Sequence, residues 1–110
     1  MDADSLTLYL DQKEDVYVPN VFSPNGDGIN DLLLVSTGSE IEEIEHLSIY
    51  DRWGNMVYLN HHFAPNSIQA SWDGTFKSQA VDPGVFVYRI LWKKKDGSMT
   101  SRYGDVTVIR

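Results

Sequence analysis

Apolar and polar residues alternate with a period of two along most of the chain, which is the pattern of half-buried β-strands. The clearest runs lie at residues 6–10, 16–18, 47–50 and 56–59. Residues 84–92 are apolar on both predicted faces apart from Arg89. Because a strand with two apolar faces belongs inside a sheet, we expect residues 84–92 to form a central strand.

Turn dipeptides separate these runs, and the Asp-Gly pair within residues 93–97 predicts a β-hairpin. Only residues 40–45 have a spacing that would suit a helix, and that segment is too short to carry a domain. About seven short strands in roughly 100 residues are typical of an immunoglobulin-like β-sandwich. We therefore predict an all-β domain over residues 16–110, preceded by an edge strand or linker remnant at residues 1–15.

The composition excludes several classes of protein. The chain has 110 residues, 9 Lys and Arg against 16 Asp and Glu, and no cysteine. The net charge of −7 argues against nucleic acid and against attachment to an anionic lipid leaflet, since both need a basic surplus. No apolar run reaches the roughly 18 residues of a membrane span, so we predict no direct membrane insertion. Disulfide scaffolds and thiolate zinc sites are excluded as well.

Residues 23–28 resemble the first half of a calcium-binding loop, in which oxygen ligands alternate and glycine occupies the sixth place. However, the twelfth place holds Leu34 and not the bidentate Glu, which leaves few charged oxygens for tight binding. The candidate ligands are Asn25, Asp27 and Asp31.

The same loop has a second interpretation without a metal, which we favour. Short polar side chains often hydrogen-bond the backbone of a turn, and glycine adopts positive φ without strain. Under this interpretation the turn-forming residues are Asn25, Asp27 and Asn30, and the positive-φ residues are Gly26 and Gly28.

Two tryptophans lie in turn motifs. Trp53 follows Asp51 and Arg52 in a predicted hairpin, where an exposed ring would suit a sugar platform. The alternative, which we favour, is that Trp53 caps the core and that the aliphatic stem of Arg52 covers it. We also expect Trp72 to anchor a loop on the core.

Catalysis finds little support in the sequence. Of the three histidines, His46, His61 and His62, the last two are neighbours, and neighbours on an extended chain point to opposite sides. No G-x-S-x-G or H-E-x-x-H motif occurs. We expect the glutamates of residues 40–45 to form a solvated acidic surface. The sequence therefore predicts no enzyme and, apart from the calcium candidate, no cofactor.

Several motifs, in this order, resemble the gliding-motility-associated C-terminal domain of Bacteroidetes, also called the type B C-terminal sorting domain of the type IX secretion system. The matching segments are residues 18–31, 49–58, 72–75, 83–88 and 104–110. Coverage runs from about residue 16 to residue 110, and several motifs in register are far more specific than one.

The resemblance implies a sorting role. Such proteins cross the inner membrane by an N-terminal signal peptide, fold in the periplasm and present this domain to the outer-membrane translocon. They are then released or attached to the cell surface, and the type B class depends on a PorP/SprF-family outer-membrane partner. Since residues 1–4 lack the features of a signal peptide, we expect that signal to lie in a longer chain.

We expect the recognised surface to include the loop at residues 25–31 and the final strand at residues 104–110, with strand addition to an exposed edge as one route. The runner-up function is a calcium-dependent carbohydrate-binding or adhesive β-sandwich module. The candidate recognition residues are Asn25, Gly26, Asp27, Gly28, Asn30, Asp31, Arg52, Gly104, Val106, Val108 and Arg110.

Overall fold

The computed structural model describes residues 16–26 and 31–109. The predicted strand at residues 6–10 and the boundary at residue 15 lie outside this part, as do four candidate residues, Asp27, Gly28, Asn30 and Arg110. The strands within it are β1 Val16–Tyr17, β2 Val21–Phe22, β3 Ser36–Thr37, β4 Ile41–Tyr50, β5 Met56–Phe63, β6 Thr75–Phe76, β7 Gln79–Ala80, β8 Gly84–Lys94 and β9 Met99–Val108. A short 3-10 helix covers Ile68–Ala70, and no described helix is long and apolar enough to cross a bilayer.

The main sheet has five strands in the order β2-β9-β8-β4-β5, and two small sheets pair β1 with β3 and β6 with β7. Neighbours in the main sheet are antiparallel except for β2 and β9, which run parallel. β8 lies at the centre, as predicted. The all-β class is confirmed, and the arrangement is that of a β-sandwich.

One face of the main sheet forms the core. Along β8, alternate residues from Phe86 to Trp92 are buried, in the same cluster as Leu33, Val35 and Trp72 from outside the sheet. Full burial of one such side chain stabilises a fold by about 1.5–3 kcal/mol. The buried residues of β8 therefore alternate with more exposed ones at a period of two.

The other face of β8 is open to solvent. Val85 and Val87 are 52% and 38% exposed. The central place of β8 thus comes from hydrogen bonding to β4 and β9 on its two edges, and the described residues cover only one of its faces.

Residues 40–45 are not helical, because β4 begins at Ile41. The ladder with β8 shifts register between Ile41 and Glu43 and again between Ile44 and His46. An irregular register places both Ile41 and Ile44 in the core despite their spacing of three. That spacing is also a helical one, which explains the ambiguity in the sequence.

Candidate recognition site

The segments that carry the family resemblance meet at one end of the sandwich. Phe22 of β2 and Gly84 of β8 both pair with Val108 of β9. The turn at residues 51–55 lies at the same end, since the last residue of β4, Tyr50, pairs with Val87 close to the start of β8. We call this region the motif end: residues 22–26, 51–55, 72–76, 81–86 and 104–109.

Trp72 anchors the motif end, as predicted. It is buried, and its Nε1 donates a hydrogen bond to the carbonyl of Thr75 at 2.9 Å. The ring centre lies 5.4 Å from that of Phe22 and 5.6 Å from that of Phe86. Such aromatic pairs contribute about 0.5–1.5 kcal/mol beyond their burial, so Trp72 ties three segments together.

Gly74 brings the first and third segments into contact. Its φ is +81°, and a Cβ there would lie 2.7 Å from Cγ of Pro24. No side chain fits this space without moving Pro24. The loop that begins at Ser23 therefore rests directly on the turn at Gly74.

The candidate calcium loop is described only at its two sides. The backbone N–H of Gly26 donates to Oδ1 of Asp31 at 3.0 Å, and the N–H of Asn25 donates to the carbonyl of Ser23 at 2.8 Å. Gly26 has φ +81°, as the turn interpretation predicts. Because Asp27 lies outside the described residues, the calcium site stays a prediction.

The turn at residues 51–55 is closed by one carboxylate. Oδ1 of Asp51 accepts the N–H groups of Trp53 and Asn55, both at 2.9 Å, and Oδ2 accepts Nδ2 of Asn55 at 3.2 Å. Although desolvation raises the pKa of Asp51, these hydrogen bonds outweigh it and lower the pKa overall. Gly54 completes the turn with φ +86°. The result is a well-defined tip that presents Arg52 and Trp53.

Trp53 does not cap the core, so that interpretation of the sequence is wrong. The side chain is 78% exposed, because the core at this end is already filled by Trp72 and Phe86. Cζ of Arg52 lies 5.7 Å from the centre of the Trp53 ring, within the range of a cation–π contact. Both side chains are therefore available at the surface.

A cleft of about 320 Å³ lies between this turn and residues 76–86. One wall carries Arg52 and Trp53, and the opposite wall carries Phe76, which is 40% exposed, and Gly84. A Cβ on Gly84 would lie 3.9 Å from Nη2 of Arg52, so the guanidinium extends close to the backbone of the far wall. We call this feature the Arg52–Trp53 cleft.

A comparison with known protein families identifies the family to which these motifs belong. The CHU_C type IX secretion signal domain matches residues 16–108. The chain belongs to this family. The resemblance stated from the sequence is thereby confirmed. A type IX secretion signal domain is not a catalytic unit, and a protein that carries one is exported to the cell surface or secreted. Among curated proteins, none matches the chain.

The candidate residues on the last strand of this secretion signal domain are mostly internal. Val106 and Val108 are fully buried, and a Cβ on Gly104 would collide with the ring of Tyr88. A partner could contact this strand only through exposed side chains such as Asp105 and Ile109, or through its backbone. Whether the strand is recognised stays a prediction. Of the described candidates, Arg52 is the most accessible charged group at the motif end.

The three histidines gather away from the motif end. Their ring centres lie 5.3 Å apart between His46 and His61 and 6.1 Å apart between His61 and His62. The expectation that neighbouring histidines point apart is wrong here, because His62 has φ +51° and interrupts the extended backbone. Nδ1 of His62 lies 3.1 Å from Oε1 of Glu45 and 3.5 Å from Oε2 of Glu43.

These two glutamates are partly buried, unlike the exposed Glu40 and Glu42. The predicted acidic surface is thus divided between a solvated part and a part that faces His62. The three ligand atoms of Glu43, Glu45 and His62 lie within 4.8 Å of one another, close enough for one metal ion. The same contacts are also those of an ordinary ion pair to a protonated imidazole, so they need no ion.

Proposed function

We propose that this type IX secretion signal domain is a non-catalytic sorting signal that directs an upstream cargo through the outer-membrane translocon. The cargo passes through the periplasm and reaches the cell surface or the medium, and a PorP/SprF-family outer-membrane protein is the partner. The observation that carries the proposal is the convergence of the family motifs on one end of the sandwich, beside an exposed Arg and Trp.

A folded signal explains why the motifs are spread over the chain. Packing around Trp72 and the ladder of β9 bring together residues from 22 to 109. No short linear peptide contains them all. A partner that reads the motif end would therefore distinguish the folded domain from an unfolded chain.

The loop at residues 25–31 and the end of β9 are proposed as parts of the surface that the partner contacts. Their adjacency supports this, since the N–H of Ile109 donates to the carbonyl of Phe22 at 3.0 Å, just before the loop begins. Arg52 lies at the same end of the molecule and is part of the same proposed surface.

The test is to fuse the whole chain to the C-terminus of a fluorescent protein that carries an N-terminal signal peptide, in a bacterium with a working type IX system. We expect fluorescence at the cell surface or in the medium. The same cargo without the domain should stay in the periplasm, and so should the fusion in a strain that lacks the translocon. Equal export with and without the domain would refute the proposed function.

A strain that lacks only the PorP/SprF-family protein tests the partner. Retention of the fusion in the periplasm is expected there. Normal export from that strain would leave the sorting role intact and remove this partner from the proposal.

A further inference from the structure

Both walls of the Arg52–Trp53 cleft are held in place before any ligand binds. On one wall, three hydrogen bonds to the carboxylate of Asp51 fix the turn that carries Arg52 and Trp53. On the other wall, β6 and β7 form a hairpin, and the N–H of Val81 donates to the carbonyl of Gly74 at 2.9 Å. A preorganised site of this kind reduces the entropy that binding costs.

Each wall contributes one exposed aromatic ring. Trp53 is 78% exposed and Phe76 is 40% exposed. A cation lies near each ring, with Cζ of Arg52 5.7 Å from the centre of Trp53 and Nζ of Lys77 5.3 Å from the centre of Phe76. Even with its contact to Arg52, most of the Trp53 side chain stays accessible to a ligand. The C–H groups on one face of a pyranose ring suit the negative face of such an aromatic ring.

Three polar side chains in the lining have hydrogen-bonding capacity that the described residues leave unused. They are Arg52, Gln79 and Asp82, and all three are exposed. None of them has a side-chain hydrogen bond to another described residue. The guanidinium only donates, the carboxylate only accepts, and the amide does both. A sugar hydroxyl also donates and accepts, so neighbouring hydroxyls of one sugar ring can satisfy all three groups.

The far wall holds its polar groups on the same side as its aromatic ring. Phe76 and Gln79 are direct cross-strand partners, so their side chains lie on the same face of the hairpin. Pro83 restricts the preceding residue, Asp82, to an extended backbone. The amide and the carboxylate are therefore presented from a fixed backbone beside an aromatic surface.

The charges around the cleft favour a neutral ligand. The lining contains the carboxylates of Asp51 and Asp82 and the guanidinium of Arg52. The ammonium group of Lys77 lies next to this lining, at the ring of Phe76. An anionic ligand would be repelled by the carboxylates, and a cationic ligand would be repelled by Arg52. The volume of about 320 Å³ is at the small end of the range for binding sites and suits a mono- or disaccharide.

We propose that the Arg52–Trp53 cleft binds a neutral saccharide. One pyranose ring packs against Trp53, with Phe76 across the cleft. Its hydroxyls form hydrogen bonds with Gln79, Asp82 and Arg52. The exposure of Trp53 thus favours the sugar platform over the core cap. This binding activity goes beyond the sorting function and does not depend on it.

The first test titrates the purified chain with the methyl pyranosides of glucose, galactose, mannose and N-acetylglucosamine. We expect at least one of them to shift the indole N–H resonance of Trp53 saturably, with a Kd on the order of 1 mM. The indole resonances of the buried Trp72 and Trp92 should change little. If the Trp53 resonance responds to none of the four sugars, the inference is overturned.

The second test varies the charge and the class of the ligand. The 6-carboxylate and 6-amino forms of the strongest-binding sugar should each bind at least about threefold more weakly than the neutral form. Equal or tighter binding of either charged form would contradict the proposed neutral ligand. A capped Ala-Leu dipeptide that shifts Trp53 with a lower Kd than every sugar would make the cleft a peptide site and overturn the proposal.

Substitutions in the cleft test the residues assigned to it. Trp53→Ala should weaken sugar binding about tenfold. Gln79→Ala and Asp82→Ala should each weaken it about fivefold, as expected for one lost hydrogen bond. Binding is followed at the backbone amide resonance of Gly84, which lines the cleft in every variant. Parent-like binding by Trp53→Ala, or by both of the other variants, would overturn the assignment.

The chain offers a matched control on the open face of the sheet. Tyr103 is 69% exposed, and Cζ of Arg89 lies 6.0 Å from its ring centre, so this pair resembles Arg52 and Trp53 without the cleft. Tyr103→Ala should bind the sugar as the parent does. The substituted side chains in the cleft and in the control are all exposed, so each variant should keep the thermal unfolding midpoint of the parent. A loss of binding in Tyr103→Ala as large as in Trp53→Ala would remove the site from the cleft.

The export assay and the sugar titration give separate answers. If the parent fusion is not exported, the sorting function fails and the sugar site is unaffected. If the parent fusion is exported and no sugar shifts Trp53, only the present inference fails.

Discussion

The two ends of the main sheet use the same turn chemistry for different purposes. At the motif end, the carboxylate of Asp51 accepts backbone N–H groups and Gly54 has positive φ. At the other end, which we call the hairpin end (residues 93–99), Asp96 accepts the N–H and hydroxyl of Ser98, and Gly97 has φ +91°. Both turns reverse the chain and both lie beside a cleft, but only the cleft at the motif end is lined by exposed aromatic side chains among the described residues, Trp53 and Phe76.

The surroundings of the two ends differ more than their turns. A Cβ on Gly97 would meet no atom of the described residues within 4 Å, whereas a Cβ on Gly74 at the motif end would collide with Pro24. The hairpin end carries three successive lysines and is solvated, with the N–H of Lys95 bonded to the carbonyl of Glu40. The difference shows that the hairpin end needs only turn-forming residues, while the motif end needs particular side chains in particular places.

The largest expected effect comes from adding one methyl group at each end. Gly97→Ala should cost about 1–2 kcal/mol, the usual penalty for a side chain at positive φ. Gly74→Ala has the same penalty and also overpacks against Pro24, for a total of about 2–5 kcal/mol. Urea denaturation of both variants measures the difference. Equal losses would mean that the motif end is no more tightly packed than the hairpin end.

A smaller effect on stability is expected when the pH is lowered. The side-chain and backbone hydrogen bonds from Ser98 lower the pKa of Asp96, and those from Asn55 and Trp53 lower the pKa of Asp51 against desolvation. A lowered folded-state pKa stabilises the protein above the unfolded value of 3.8, and this stabilisation is lost as the pH falls through the folded-state pKa. The thermal midpoint should therefore drop on acidification below that value.

The Asp51→Asn and Asp96→Asn variants should each show a flatter profile of thermal midpoint against pH over the same range. Circular dichroism at a series of pH values measures this. A parent-like slope in Asp51→Asn would show that its carboxylate does not close the turn at the motif end.

The smallest effect is expected away from both turns, at His62. Glu45→Gln removes one charge from its contact with the ring, but His62 is 67% exposed and solvent screens the pair. We expect a change of about 0–0.5 kcal/mol by urea denaturation. Glu42→Gln is the control of similar chemistry, because Glu42 is exposed and has no ion pair with a described residue. A loss above 1 kcal/mol would make this contact a structural one, comparable to those of the motif end.

The sequence predicts local features of this fold well. The central strand is predicted from its run of apolar residues on both faces, and the hairpin is predicted from Asp96-Gly97, because both signals depend on neighbours in the chain. The start of β4 was less clear, since the irregular register around Ile44 gives its apolar residues a helical spacing.

Features that depend on distant residues could not be predicted from the pattern. The parallel pairing of Phe22 with Val108 has no local signal. The exposure of Trp53 follows from the space that Trp72 already fills, which only the packed structure shows. Arg52 was among the predicted recognition residues, but the opposite wall of the cleft, with Phe76 and Gly84, was missed. In the sequence, the turn motifs around Phe76 and Gly84 are the only signal for this wall of the cleft.

The pairing of β9 with both β8 and β2 determines at which stage of protein synthesis the fold can be completed. Protein synthesis delivers β9 last of the described strands, yet it supplies Val106 and Val108 to the core and holds β2 in the sheet. A nascent chain that stops before Val106 therefore lacks the closing strand, and the segments from Phe22 to Gly84 cannot assemble around it. A partner can recognise such a folded signal only after the ribosome has completed β9. Prematurely terminated chains would therefore lack a functional secretion signal.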